Sequence, residues 1–210
     1  MEIISCNFWI LLMKCESLGI PGLLLLTPQV FEDDRGFFFE SWNAARFAQA
    51  LAAEAGQPTT ELQFVQDNHS CSARGVLRGL HFQLPPHPQG KLVRCTAGEI
   101  FDVAVDLRRG SPTFGRWLGV RLSGANHQQL WVPPGFAHGF LSLQDGSEVL
   151  YKTTDVWHRE CERSLLWDDP AMAIAWPLAD LQIEAGPSLS GKDAVAPRLA
   201  ELVAAGEVFP

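Results

Sequence analysis

The chain has almost no tyrosine. Tyr151 stands alone against 13 phenylalanines and 7 tryptophans. Tyrosine differs from phenylalanine by one ionisable O–H, so a lone survivor in an aromatic-rich chain marks either chance or a place where that proton is needed. Cysteine is nearly as uninformative by design: the five (Cys6, Cys15, Cys71, Cys95, Cys161) are odd in number, scattered, and form no CxxC pair. That excludes a disulfide framework and a zinc ribbon, and it fits a reducing cytoplasm. Long hydrophobic runs are missing too. The apolar stretch from Phe8 to Met13 is too short to span a bilayer. It follows Glu2 and lacks a basic n-region, so it makes a poor signal peptide. Met13-Lys14 reads as a natural start, and residues 1–12 are expected to be an extension outside the fold. There is also no excess of positive charge: 16 Lys and Arg against 24 Asp and Glu give a net charge of -8 and a pI near 5.2. A nucleic-acid backbone would call for a basic face, so nucleic-acid binding is excluded as the leading class.

What is present is strand-like sequence. With no repeat and no low-complexity linker, residues 13–210 read as one domain, large enough to bury most of its apolar surface. Runs at 23–31, 36–41, 61–68, 75–83, 91–98, 99–108, 114–123, 129–134 and 147–155 are punctuated by Gly, Pro, Asn or Asp, as turns require. In EIFDVAVDLR, Phe101, Val103, Val105 and Leu107 alternate with a set containing Asp102, Asp106 and Arg108, the period of a half-buried strand. Two helices are expected: 43–56, with Asn43 as N-cap and Gly56 as its stop, and 196–206. Many short strands with few helices predict a mainly β protein, a sandwich or barrel with a jelly roll leading.

Within this sheet sequence, GVLRGLHFQLPPHPQGKLVR (75–94) is anomalous. It sets Arg78, His81, Gln83, His87, Gln89, Lys91 and Arg94 among apolar residues and glycines. An unpartnered buried polar group costs a few kcal/mol, so these residues sit on a wet face or line a pocket for something anionic. In a regular strand His81 and Gln83 face one side and Arg78 the other, unless Gly79 introduces a bulge. A second histidine, His138, lies in WVPPGFAHGF, whose PxGxxH pattern occurs in the second motif of cupin jelly rolls; a Pro-Gly turn with a surface histidine is the plainer reading. Metal-binding cupins supply an HxH pair and a glutamate from their first motif, whereas this chain has His81-Phe82-Gln83 and no glutamate after it. One or two imidazoles make a weak transition-metal site, so the pocket is expected to be metal-free, with His81 available as a base.

The segments VFEDDRGFFFESWN, FVQDNHS, GVLRGLHFQ, QGKLVRCTAGEIFDVAVDLRRGSPTFGRWLGV, LWVPPGFAHGF, LYKTTD, ERSLLWDDP, IAWP and LSGKD closely resemble the dTDP-4-dehydrorhamnose 3,5-epimerases, over about Ile20 to Asp193. The resemblance implies a cupin jelly roll with a few short peripheral helices, and a reaction of dTDP-L-rhamnose biosynthesis: epimerisation of a dTDP-4-keto sugar at C3 and C5. It implies no redox cofactor and no metal, a dTDP-sugar as partner, and a homodimer paired through a strand. By the same resemblance His81 matches the base, Asp193 the carboxylate that orients it, Lys91 a cation near the C4 oxygen, and Tyr151 the acid. Arg35, Glu40, Gln66, Asp67, Asn68, Arg78, His138, Glu162 and Lys192 match substrate-contacting positions. Phe38 or a neighbour in FFF is a candidate for the thymine ring, with core packing expected for most of that run. Asp102 and Asp106 are expected to be hydrogen-bonded structural or rim residues. The chain departs from the family after Tyr151, where two aromatics are common and Val156-Trp157 stand here; that bears on whether both centres or one are inverted. The alternatives are a mono-epimerase or ketoisomerase on a related dTDP-4-keto sugar, and a non-catalytic nucleotide-sugar-binding cupin. The second would have no use for His81, Lys91, Tyr151 and Asp193 together.

Overall fold

A computed structural model describes residues 13–55, 62–183 and 185–210. The suggested extension at residues 1–12 and the helix stop at Gly56 lie outside the described residues. The rest of the first helix forms as α1 (Ala44–Ala55), and the Asn43 side chain accepts from the Arg46 backbone N–H at its start.

Two antiparallel sheets dominate. The first, of six strands, runs in the order β1 (Met13–Ser17), β2 (Leu24–Pro28), β10 (Gln129–Val132), β7 (Lys91–Ala97), β12 (Ser147–Thr153), β5 (Gln66–Ser72). The second, of five, runs β13 (Glu162–Ser164), β6 (Leu77–Gln83), β11 (Phe136–Ser142), β8 (Glu99–Asp106), β9 (Trp117–Ser123). A separate hairpin joins β3 (Phe31–Asp33) to β4 (Gly36–Phe38). This is the sandwich of jelly-roll type that the short, turn-punctuated strands predict.

Three apolar layers hold it. Between the sheets, Val93, Cys95, Leu130, Val132 and Val149 of the first meet Ile100, Ala104, Leu122, Phe136 and Phe140 of the second. Behind the first sheet, Leu24, Leu26, Leu92 and Trp131 pack against Phe47 and Leu51 of α1. Behind the second, Leu77, Leu80, Phe82, Val103, Val105 and Leu141 are covered by Leu165, Met172, Trp176, Leu181, Leu202 and Phe209 from the C-terminal third. Each such side chain fully removed from water is worth about 1.5–3 kcal/mol. The C-terminal cover ends in α2 (Gly191–Ala194) and α3 (Leu199–Ala205); α3 forms within the helix expected at 196–206 and is closed by Gly206 in the left-handed conformation.

The half-buried reading of EIFDVAVDLR is therefore corrected. Its alternation is real, but both faces are covered: Val103 and Val105 meet the C-terminal layer, while Asp102 and Asp106 are fully buried. Asp106 accepts from Arg108, Ser111 and Thr113, which satisfies it locally. The expected strand at 61–68 forms later, at Gln66–Ser72, and β1, β11 and β13 carry strand structure that no expected run covered.

Candidate active site

The interior stripe of each sheet is apolar at one end and polar at the other. On β7, Val93 and Cys95 are core, and Lys91, on the same face, is not apolar. On β12, Tyr151 follows Val149 inward and packs against the same core. On β11, His138 falls between Phe136 and Phe140, and it pairs in register with His81 of β6. The polar ends enclose a cavity of about 600 Å³ whose lining includes Asn68, Arg78, His81, Lys91, His138, Tyr151, Lys192 and Asp193. A compartment of about 200 Å³ shares Asn68, His81, Lys91 and Tyr151 with it and adds Gln66, Trp157 and Glu162. Together these are large enough for a drug-sized or nucleotide-sized ligand.

Arg78 and His81 reach the same cavity because Gly79 interrupts the alternation. Leu77, Leu80 and Phe82 all pack into the outer layer, so one extra residue separates 77 from 80. The pairing of β6 with β11 shifts register at this point. Gly79 has φ +124°, and a Cβ there would meet Gly139 Cα at 2.7 Å and the His138 carbonyl at 2.9 Å. Only glycine combines that backbone with so close an approach.

His81 Nε2 lies 2.6 Å from Asp193 Oδ1. Asp193 is almost fully buried at the N-terminal turn of α2, where its backbone N–H donates to the Ser190 hydroxyl and its other oxygen accepts from the Gly79 N–H. Burial alone would raise its pKa, but hydrogen bonds from His81, Ser190 and Gly79 outweigh burial and hold it below the usual carboxylate range. An ionised Asp193 can only accept, so in the neutral imidazole the nitrogen facing it carries the hydrogen and the other ring nitrogen holds the lone pair. Lys91 is buried and donates to the His81 carbonyl at 3.1 Å. Burial pushes its pKa down to about 8, with Asp102 and Glu162 opposing the fall. Tyr151 is pushed the other way: burial raises its pKa, Glu162 adds to that, and Arg78 opposes it. The phenol thus stays protonated at neutral pH.

Other groups fix this frame. His138 Nε2 lies 2.8 Å from Asp102 Oδ1, both buried. Asp102 Oδ2 is buried with no hydrogen-bond partner among the described residues. Arg78 donates to Ser72 and to the Cys71 carbonyl, and Lys192 pairs with Glu162 at 3.0 Å. The sequence does not single out Ser190, and nothing local signals it. Asp102 reads from the sequence as a structural or rim residue, and Trp157 stands where the family's aromatics draw attention to the pocket wall.

Three expected substrate contacts are not brought to this cavity. Asp67 neighbours Asn68 on β5, so strand alternation turns it outward, where it pairs with Lys152 at 2.9 Å. Arg35 sits on the β3–β4 turn, bonded to Asp33, with its side chain 90% exposed. Glu40 is bound to Arg46 and Asn43 at the start of α1. Core packing for the FFF run is also corrected. Phe37 and Phe38 are 61% and 72% exposed on the hairpin, and Phe37 and Phe39 flank the His127 ring.

The family model for dTDP-4-dehydrorhamnose 3,5-epimerase matches residues 17–201. A Pseudomonas aeruginosa protein named for that activity is 55% identical over 198 residues, covering 94% of this chain and 100% of the relative. A Salmonella typhimurium protein of the same name is 54% identical over 181 residues, 86% of this chain and 92% of the relative. The crystal structure of the Legionella pneumophila epimerase in complex with dTDP-4-keto-L-rhamnose superposes with a TM-score of 0.83 at 46% identity, covering 94% of this chain and 97% of that one. With matches of this extent in sequence and fold, the chain belongs to the dTDP-4-dehydrorhamnose 3,5-epimerase family.

Proposed function

We propose that the protein inverts C3 and C5 of dTDP-4-dehydro-6-deoxy-D-glucose, giving dTDP-4-dehydro-L-rhamnose. The observation that carries this reading is the placement of an acid and a base on opposite sheets. His81, oriented by Asp193, stands on the five-stranded sheet, Tyr151 stands on the six-stranded sheet, and both line one cavity. The C4 ketone acidifies its neighbours because the carbanion delocalises onto oxygen. His81 removes the proton, Asp193 supports the imidazolium, and Lys91 offsets the enolate charge. Tyr151 then delivers a proton from the other side. Arg78 and Lys192 give an acidic protein a local cationic wall suited to a diphosphate.

In deuterated water, proton NMR of that substrate with the purified protein should show wash-out of the C3 and C5 signals. Loss of neither would sink the reading, and loss of one alone would make the protein a mono-epimerase. Trp157 lines the smaller compartment while remaining 53% exposed, and Val156 beside it does not line it, so one aromatic side chain persists at that wall.

Lys91 sets an expected pH dependence. Its cation stabilises the enolate, so kcat/KM, which reports the free enzyme, should fall about tenfold per pH unit above its pKa of about 8. A bound diphosphate raises that pKa, so kcat should persist to higher pH. A kcat/KM profile with no fall anywhere below the ordinary lysine value of 10.5 would remove Lys91 from the role.

The exposed apolar hairpin supports a homodimer. Phe31, Phe37 and Phe38 stand in solvent on β3 and β4, next to Arg35, and a second copy is the partner we assign to them. Light scattering giving a single-chain mass would refute that. We place the protein in the cytoplasm, in keeping with the free thiols of Cys71, Cys95 and Cys161. Among the described residues no helix is long and apolar enough to cross a membrane.

A further inference from the structure

Outside the cavity, two loops meet in a cluster that the epimerisation does not use. The connection between β6 and β7 supplies His87, and the connection between β12 and β13 supplies Asp155 and His158. One ligand atom from each lies within 4.8 Å of the other two. His87 Nδ1 is 3.0 Å from Asp155 Oδ2, and the His87 and His158 rings stack with centroids 3.4 Å apart and planes 13° from parallel. A hydrogen bond between His87 and Asp155 accounts for one imidazole. His158 Nδ1 has its own carboxylate, Glu160 Oε1, at 3.2 Å, but neither bond accounts for one ring laid flat against the other, since two protonated rings so close would repel.

The backbone beneath the cluster is held from within. Gln83, 3% exposed on β6, donates through its amide to the carbonyls of His87 and Val156 at 2.8 and 3.1 Å, and accepts from the His158 N–H at 2.7 Å. Gln89 and Thr153 both donate to the Asp155 carbonyl at 2.8 Å. One buried amide thus fixes the backbone of both loops where the three side chains converge, the kind of outer support that ligands to a metal require.

We propose that His87, Asp155 and His158 bind a divalent first-row transition ion, Zn²⁺ being the reference case, with water completing the coordination. Two imidazoles and a carboxylate form a donor set suited to such ions and poorly suited to Mg²⁺ or Ca²⁺. Around a tetrahedral Zn²⁺ with bonds of about 2.0–2.1 Å, ligand atoms stand about 3.3 Å apart. The three side chains are half-buried, so the present spread closes by side-chain rotation over a fixed backbone. The ion takes the place of the proton now shared by His87 and Asp155. It staples the loop that carries Trp157 onto the wall of the compartment shared with His81, Lys91 and Tyr151. None of the three ligands lines the catalytic cavity, so the ion acts on the loop and not on the reacting carbons.

The test is a titration of the full chain, first stripped by chelation, with Zn²⁺ in a calorimeter and with Co²⁺ in a spectrophotometer. One ion per chain is expected, with no thiolate-to-cobalt charge-transfer band and a rise in Tm on binding. Loss of a mere outer-shell partner costs about 10–100-fold in metal affinity, so His87→Gln and His158→Gln should each weaken binding at least about tenfold. His69→Gln, which alters the separate pair of His69 with Glu148, should leave the affinity unchanged. Circular dichroism confirms that each variant is folded. Absence of one-equivalent binding, affinity indifferent to both His87→Gln and His158→Gln, or a thiolate band would overturn the proposal. Because the readout is binding, the outcome is independent of whether the epimerase reading holds.

Discussion

His81→Asn is expected to abolish deuterium exchange and inversion together, with turnover falling about 100- to 10,000-fold. Both depend on one event, removal of a proton next to the C4 ketone, and His81 is the cavity group equipped for it. Its ring is aimed by a buried, ionised Asp193 at 2.6 Å, which holds hydrogen on one nitrogen and leaves the other basic. Asparagine keeps polarity and approximate volume but has no basic nitrogen. Binding should survive, because Arg78 and Lys192 are untouched, so calorimetry with dTDP separates a chemical defect from a misfolded cavity. Exchange persisting within tenfold of the wild type would show that another group is the base.

Tyr151→Phe should behave differently and uncouple the two readouts. The substitution deletes one O–H, keeps the ring packed against the inter-sheet core, and leaves His81 with Asp193 intact. The carbanion still forms. Return of the proton from the six-stranded sheet is lost, but the imidazolium on the five-stranded sheet can redeliver deuterium to the original face. The variant should therefore label substrate while inverted product drops by about 100-fold or more. The raised pKa of Tyr151 supports this role, since the phenol stays protonated as an acid must. Inversion at the wild-type rate would exclude Tyr151 as the acid. Loss of exchange along with inversion would mean that its part begins before the enolate forms.

The sequence by itself determined the strand-rich class, the two principal helices, and the anomaly at 75–94. Alternation and punctuation are local properties, and the backbone obeys them wherever both faces are packed. It also fixed which residue types are out of place in a sheet, and the family motifs assigned them roles. Tertiary structure decided the rest. Alternation in β8 could not reveal whether its acidic face met water; it meets the inter-sheet interior, so Asp102 is a buried partner of His138. The sequence places β5 too early because Leu62 and Phe64 alternate like a strand but pack in the cluster beside α1, while the strand's own inward positions are cavity residues whose polarity reads locally as a loop. Arg78 and His81 share a wall only through the irregularity at Gly79, and that depends on Gly139 of a strand sixty residues away. Asp193 reaches His81 across 112 positions of sequence. Pairings at such separation follow from sheet order and layer packing, which no local pattern encodes.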